Sequence, residues 1–330
     1  MKVFITGGLG FIGAHLAKRL ADEGHEIVVF DSMTHYIDPK ISRHPKYLDW
    51  RLKNLLKSPN IEIIRGDVRH KMHVLRSLLK TTPEVIVHLA AIPIAVTSDS
   101  LSEEAADIKL NGTLNLLETL HEVKSIKRFI YASSSMVYGD FKKIPCPIDH
   151  PKNPKGVYGA VKLCGEILTK SVCNLNSVEW VVVRPSAVYG PTDSNRRVTQ
   201  IFIENALEGK PLVLHNGGQS MLDFTYIDDI VEGFYLCVTK QEAGNHIFNI
   251  TAGEGRTLKE MAEIIKRELP DAEIIYKEAR PDEKRPERGT LDISDAQRIL
   301  AFKPRYNLET GMKKYIAFVK DFDKKFCENI

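Results

Sequence analysis

The stretch Gly7-Gly8-Leu9-Gly10-Phe11-Ile12-Gly13 restricts what this chain can fold into more than any other feature. It follows a short apolar run, Lys2 to Thr6, and precedes a helix-like stretch, Ala14 to Glu23, that stops at Gly24-His25. A second apolar run, Glu26 to Phe30, ends at Asp31. Strand, glycine turn, helix and strand at this spacing form a βαβ unit with parallel strands. Glycines at 7, 10 and 13 permit a tight turn, close approach of a pyrophosphate and close packing of helix on strand, with the helix N-terminus facing the phosphates. Asp31 can accept hydrogen bonds from both hydroxyls of an adenosine ribose and repels a 2′-phosphate, and Ser32-Met33-Thr34 bring no cation beside it. NAD is therefore expected rather than NADP. A glycine turn without a ligand is the alternative, and the complete unit disfavours it.

The alternation continues. Ile61 to Ile64 predicts a strand leading to Gly66-Asp67-Val68, Met72 to Leu79 a helix, and Val85 to Leu89 a strand ending in Ala90-Ala91. Small residues there would let a cofactor lie across the strand ends. Asp67 suits an adenine amino group or, equally, a helix N-cap. Residues 103–123 read as one long amphipathic helix, Phe129 to Ala132 and Glu179 to Val183 as strands, and residues 157–174 as a helix. Such alternation predicts a Rossmann-type doubly wound α/β fold, a parallel sheet with helices on both faces and ligands beyond the carboxyl ends of its strands. Residues 1–184 are expected to form the NAD-binding domain and residues 185–330 a smaller α/β substrate domain, with more than one crossing between them. In the latter, helices are expected at Val198 to Glu208, from Asp228-Asp229 to Thr239, at 257–268, 294–300 and 308–326, with strands at 211–214, 246–250 and 272–276. Residues 32–60, with His35, Tyr36, His44, Tyr47, Trp50 and Arg51, are long for a connection. They are expected to pack on the surface; a helical lid is the alternative.

The charge balance of +3, spread along the chain, gives no reason to expect nucleic acid or an anionic membrane as partner. No apolar run approaches the roughly 20 residues that span a bilayer. The N-terminus runs straight into a strand without a signal-like segment, and the five cysteines (146, 164, 173, 237, 327) include no CxxC pair. Reduced thiols in a cytoplasm are expected, without a metal site.

Tyr158 and Lys162 lie four apart, so a helix puts them on one face. A free tyrosine has a pKa of about 10, and a nearby ammonium favours its phenolate, which makes a base for a hydroxyl proton. Alone the pair is common on surface helices. Its weight comes from converging with Gly13, Asp31, Ala90 and Ser134 on one sheet edge.

These residues resemble the extended short-chain dehydrogenase/reductase family, in particular its NAD-dependent nucleotide-sugar epimerases and dehydratases. The resemblance spans nearly the whole chain: the glycine turn with Thr6, Gly66-Asp67-Val68, His88-Leu89-Ala90-Ala91, Asn111-Gly112-Thr113, Ser133-Ser134-Ser135-Met136-Val137-Tyr138-Gly139, Tyr158-Gly159-Ala160-Val161-Lys162, Arg184-Pro185, Tyr189-Gly190-Pro191 and Phe224-Thr225-Tyr226-Ile227-Asp228-Asp229. It implies Tyr158 as catalytic acid/base, Lys162 lowering its pKa and holding the nicotinamide ribose, and Ser134 hydrogen-bonding the sugar oxygen, with Ser133 and Ser135 as neighbouring alternatives. It further implies cofactor contacts at Gly7, Gly10, Phe11, Ile12, Gly13, Asp31, Asp67, Val68, Leu89, Ala90, Ala91 and Pro185. The implied reaction is epimerisation of a nucleotide-linked sugar by transient oxidation and hydride return, at C4 of a UDP-sugar or UDP-uronic acid. A homodimer is implied too, paired through the helices at 103–123 and 157–174.

The family's dehydratases carry Asp-Glu where this chain has Ser135 and Met136, and its decarboxylases a Glu at the second place. Dehydratase, decarboxylase and keto-sugar reductase are thus alternatives, as is a non-catalytic NAD-binding regulator. Leu222 stands where UDP-sugar binders often have a diphosphate-holding Arg, and Ala187 where they have Asn. Arg280 matches the family's second phosphate-binding arginine, although a solvated loop charge is the other reading. Arg196 or Arg197 can supply the missing charge.

Overall fold

The computed structural model describes residues 1–36, 43–93, 95–278 and 286–327. Strands β1 (Lys2–Thr6), β2 (Glu26–Asp31), β3 (Ile61–Arg65) and β4 (Val85–His88) alternate with helices α1 (Phe11–Asp22), α2 (His44–Asn54) and α3 (Lys71–Thr81). Next come α4 (Ala95–Ser100), α5 (Ser102–Ala106), α6 (Gly112–Glu118), β5 (Arg128–Ala132), α7 (Gly156–Leu175) and β6 (Glu179–Arg184). The second half holds β7 (Val188–Tyr189), α8 (Val198–Leu207), β8 (Leu212–His215), β9 (Met221–Asp223), β10 (Thr225–Tyr226), α9 (Ile227–Thr239) and β11 (His246–Asn249). It ends with β12 (Gly255–Thr257), α10 (Leu258–Glu268), β13 (Ile274–Lys277), α11 (Ser294–Leu300) and α12 (Leu308–Cys327).

Among the described residues, seven strands pair in the order β11-β6-β5-β4-β1-β2-β3, and every pairing is parallel. The expected doubly wound sheet is therefore present. Successive side chains of a strand point to opposite faces, so a sheet covered on both sides reads as a continuous apolar run. Val3, Phe4 and Ile5 are all fully buried, Val3 and Ile5 in one core, Phe4 in the other. The first core takes Leu16 and Leu20 of α1 with Ile230 and Phe234 of α9; the second takes Val74 and Leu78 of α3 with Leu116 of α6. The chain's second half returns to the sheet: α9 packs on α1, and β11 pairs with β6 from His246↔Val181 to Asn249↔Arg184. The remaining short strands pair outside the main sheet, as β10-β7, β12-β9 and β13-β8.

Residues 103–123 are not one uninterrupted helix. A π-helical turn, Asp107–Asn111, separates α5 from α6, and a 3-10 turn, Thr119–His121, comes after α6. A π turn inserts one extra residue and rotates the next stretch of helix by about a third of a turn. Ile108 and Lys109 lie buried within it. The 32–60 segment packs as expected through Tyr47, which is buried against Phe322 of α12, and Trp50, which meets Phe318 edge-on at 5.2 Å. The same segment turns His35, His44, Leu48 and Arg51 toward the main cavity.

Beneath the sheet's carboxyl edge lies a buried polar chain. Arg184 pairs with Glu166 through Nε–Oε1 (2.8 Å) and Nη2–Oε2 (2.7 Å), both side chains 1% exposed. Arg184 also donates to the Tyr138 hydroxyl at 2.9 Å, which donates to Asn249 Oδ1 at 2.7 Å, while Ser133 donates to Glu166. One chain of bonds thereby fixes α7 against β5, β6 and β11. Removing one partner of a buried pair strands the other charge and costs about 3–5 kcal/mol. Glu166→Gln is expected to lower unfolding stability by that order in a chemical-denaturation midpoint; a loss indistinguishable from surface substitutions would show the pair to be unimportant.

Candidate active site

A cavity of about 1900 Å³ opens along the carboxyl edge of the sheet and runs into the second half of the chain. Gly7, Gly10, Phe11, Ile12, Gly13, Asp31, Asp67, Val68, Leu89, Ala90, Ala91, Ser134, Tyr158, Lys162, Pro185 and Arg197 all line it. Arg280 lies outside the described residues.

At the cavity's deep end, β5 runs out into Ser133-Ser134-Ser135. Ser133 spends its hydroxyl on Glu166, and Ser135 is buried in the 3-10 turn Ser135–Tyr138. Ser134 accepts from the Met136 N–H at 3.2 Å, and its hydroxyl acts on Tyr158 to pull the phenol pKa down. Of the three neighbouring serines, Ser134 is the one at the Tyr158 oxygen. Tyr158 lies in the first turn of α7, and Asp99 of α4 accepts from the Val157 N–H at 2.8 Å, so an acidic group meets the positive end of that helix. Burial pushes the Tyr158 pKa above its ordinary value; the Arg197 charge, the Ser134 hydrogen bond and the Arg288 charge pull against it. Lys162 stands one turn on, donates to the Ala132 carbonyl at 2.5 Å, and is brought down to about 8 by burial, with Glu166 acting the other way.

At the other end, Asp31 accepts from Leu9 N–H at 3.0 Å and Met33 N–H at 2.8 Å, one bond to each oxygen. Each oxygen keeps acceptor capacity for a ribose hydroxyl. Burial raises the Asp31 pKa, and the backbone bonds and Arg51 oppose that. The N-cap alternative for Asp67 does not hold: His70 occupies that place before α3, and Asp67 takes Arg69 through Nε (3.0 Å) and Nη2 (2.7 Å). The Arg69 backbone N–H also donates to Oδ1 at 2.9 Å, so both carboxylate oxygens already accept bonds from Arg69.

Toward the second half, Arg197 donates to Asp193 at 3.2 Å and its charge reaches Tyr158, whereas Arg196 turns to Glu204 at 2.6 Å. Leu222 and Ala187 line the same wall. The cavity also contains Arg51 and Arg288, which motif spacing did not single out as site residues. Arg51 is 1% exposed, beside the charges of Asp31 and Asp193. It lies in the long connection where no periodicity marks direction, one turn after Tyr47. Lys109, beneath the Tyr158 ring, was not singled out either, although its spacing from Ala105, Gly112 and Leu116 puts it on the buried stripe.

A sequence model of the NAD dependent epimerase/dehydratase family matches residues 3–251. The chain belongs to that family. A UDP-glucuronate 4-epimerase of Arabidopsis thaliana is 28% identical, covering 98% of this chain and 77% of its own. The crystal structure of UDP-glucuronic acid 4-epimerase from Bacillus cereus, in complex with UDP-glucuronic acid and NAD, superposes with a TM-score of 0.88 at 27% identity, covering 97% of this chain and 99% of that one. UDP-glucose 4-epimerase from Thermotoga maritima, with UDP-glucose, gives 0.86 at 26% identity over 97% and 99%. This family is NAD-dependent, and the turn before α1 fits the dinucleotide. Gly7 has φ +69°, and a Cβ there would stand 2.8 Å from the Ala90 nitrogen; one on Gly13 would stand 2.7 Å from Gly8 Cα. The turn has no room for side chains, and the first turn of α1 has no side-chain cap, so its N–H groups remain for a diphosphate. Asp31→Asn is expected to weaken NAD binding roughly tenfold to a hundredfold, the worth of a charge-assisted hydrogen bond, in calorimetric titration of cofactor-stripped protein. Unchanged affinity would remove Asp31 from the ribose site.

Proposed function

We propose that this protein is an NAD-dependent epimerase of a nucleotide-linked sugar, inverting C4 of a UDP-sugar or UDP-uronic acid. The observation that carries the reading is the joining of Tyr158, Ser134 and Lys162 at the deep end of the NAD cavity. The activities named for the Arabidopsis, Bacillus and Thermotoga relatives agree with it. Tyr158 takes the proton from the sugar hydroxyl, and Ser134 orients that hydroxyl by hydrogen bonding. Lys162 holds the nicotinamide ribose while one of its donors stays on Ala132. Bound NAD supplies the hydride acceptor and later the donor, so no net oxidation results. On the return, Tyr158 gives the proton back to the oxygen of the inverted carbon.

Ser135 and Met136 offer no acid–base pair for eliminating water and no carboxylate for a decarboxylating relative's role. Asp31 weighs against an NADPH-dependent reductase, and an intact Tyr158–Lys162 pair against a mere NAD-binding regulator. Arg197 and Arg288, whose charges reach Tyr158, favour a substrate bringing a diphosphate or uronic carboxylate to that end. Arg280 would add a phosphate contact. Residues 1–184, joined by α9 and β11, serve as the cofactor half, and the rest of 185–330 as the substrate half.

We further infer a cytoplasmic homodimer paired through α6 and α7. Cys146, Cys164, Cys173 and Cys237 are free thiols, and α7 leaves Ile167 53% and Leu175 84% exposed. Ile167→Glu is expected to convert a dimer into a monomer in sedimentation velocity; a wild-type monomer at micromolar concentration would end the inference.

The function is tested by incubating UDP-glucose and UDP-glucuronate with the protein and NAD in deuterated water. The expected product is the C4 isomer without carbon-bound deuterium, and Tyr158→Phe is expected to cut turnover by several orders of magnitude while retaining NAD. Deuterium on carbon, or loss of water or carbon dioxide, would overturn the reading.

A further inference from the structure

Lys109 is 1% exposed, and its Nζ lies 4.1 Å from the centroid of the Tyr158 ring. It donates to the Ser98 hydroxyl at 2.6 Å, which holds the amine beneath the ring. Lys109 lies in the π turn Asp107–Asn111, and the Thr113 hydroxyl of α6 donates to its carbonyl. Lys109 is not among the residues lining the cavity, so any influence on substrate passes through Tyr158. The second lysine of the region, Lys162, directs an N–H at the Ala132 carbonyl.

An ammonium on an aromatic face is attracted by the ring quadrupole. When the tyrosine loses its proton, negative charge spreads into the ring and that attraction grows. A cation in this position therefore favours the phenolate over the phenol. We propose that Lys109 is a positioning residue for the acid–base step: held by Ser98 under the Tyr158 ring, it stabilises the phenolate form, so that the two side chains titrate as one unit.

Other charged groups act on each of the two side chains. Burial first, and Lys162 second, bring Lys109 down to about 6, while Asp99 of α4 acts the other way. Tyr158 is raised by burial and opposed by Arg197, Ser134 and Arg288. Tyr131 on β5 and Glu166 and Cys164 on α7 lie in the same surroundings, and His88 on β4 is held neutral, brought down to about 3 by burial and Lys162. With Tyr158 as phenol, Lys109 releases its proton readily; with Tyr158 as phenolate, the new negative charge calls the proton back onto Lys109. Groups in such contact share macroscopic pKa values once their interaction exceeds about one pKa unit. Removing the lysine therefore moves appearance of the phenolate to higher pH.

This inference rests on the proposed role of Tyr158 as base, yet its test need not use the sugar. Phenolate absorbance of the NAD-bound protein is titrated with pH, and subtracting the Tyr158→Phe form of each protein isolates one tyrosine among 11. Lys109→Met is expected to raise the Tyr158 midpoint by about one pH unit or more, a tenfold loss of phenolate at a given lower pH. Lys109→Arg is expected to restore it, and Ser98→Ala to give a smaller upward shift. In turnover assays, kcat should follow the phenolate with KM little changed. An identical Tyr158 titration in Lys109→Met and wild type overturns the proposal, whatever happens to activity, and so does lost activity with an unshifted titration. If Lys109→Met does not fold, Ser98→Ala decides, and a wild-type titration in that variant overturns it. A shifted phenolate in a protein that epimerises neither UDP-glucose nor UDP-glucuronate upholds the proposal while removing the function above.

Discussion

Every strand of the main sheet points the same way, and a chain can manage that only by returning over a face between strands. The loops after β1, β2, β4, β5 and β6 are thereby gathered at one edge. Gly13, Asp31, Ala90, Ser134 and Pro185, far apart along the chain, become walls of a single cavity for that reason. The second half shares the constraint, since β11 extends the sheet and α9 covers α1.

Edge loops are free of ladder bonding, so something else must hold them at catalytic tolerance. The Arg184–Glu166 pair performs that task, with Tyr138, Asn249 and Ser133 as its extensions. Ser133 is tied from below, and its neighbour Ser134 is left facing Tyr158. A charge pair buried this deeply contributes more to geometry than to net stability, because desolvation consumes most of the attraction. The consequence for chemistry is a serine and a tyrosine presented from β5 and α7 with little freedom to separate.

Burial works against the role proposed for Tyr158. The low-dielectric surroundings of Tyr158 raise its pKa, and cations offset this. Arg197 and Arg288 approach from the substrate half, so part of the offset depends on the two halves lying together. Lys109 belongs to no family motif, yet it lies on the buried stripe of its helical segment and under the ring.

The amino-acid sequence determined the βαβ unit, the parallel sheet and the two ends of the site, since glycine geometry, apolar runs and four-residue helical spacing are local physics. Asp31, Tyr158 and Lys162 could be named because each arises directly from such an element. Tertiary structure alone decided which of three adjacent serines meets Tyr158, that Asp67 is engaged by Arg69 instead of capping a helix, and that Arg51 faces the cavity. It also decided that residues 246–249 join the main sheet. These outcomes rest on contacts between segments tens to hundreds of residues apart, where the partner's position, and not the residue's own preference, sets the energy.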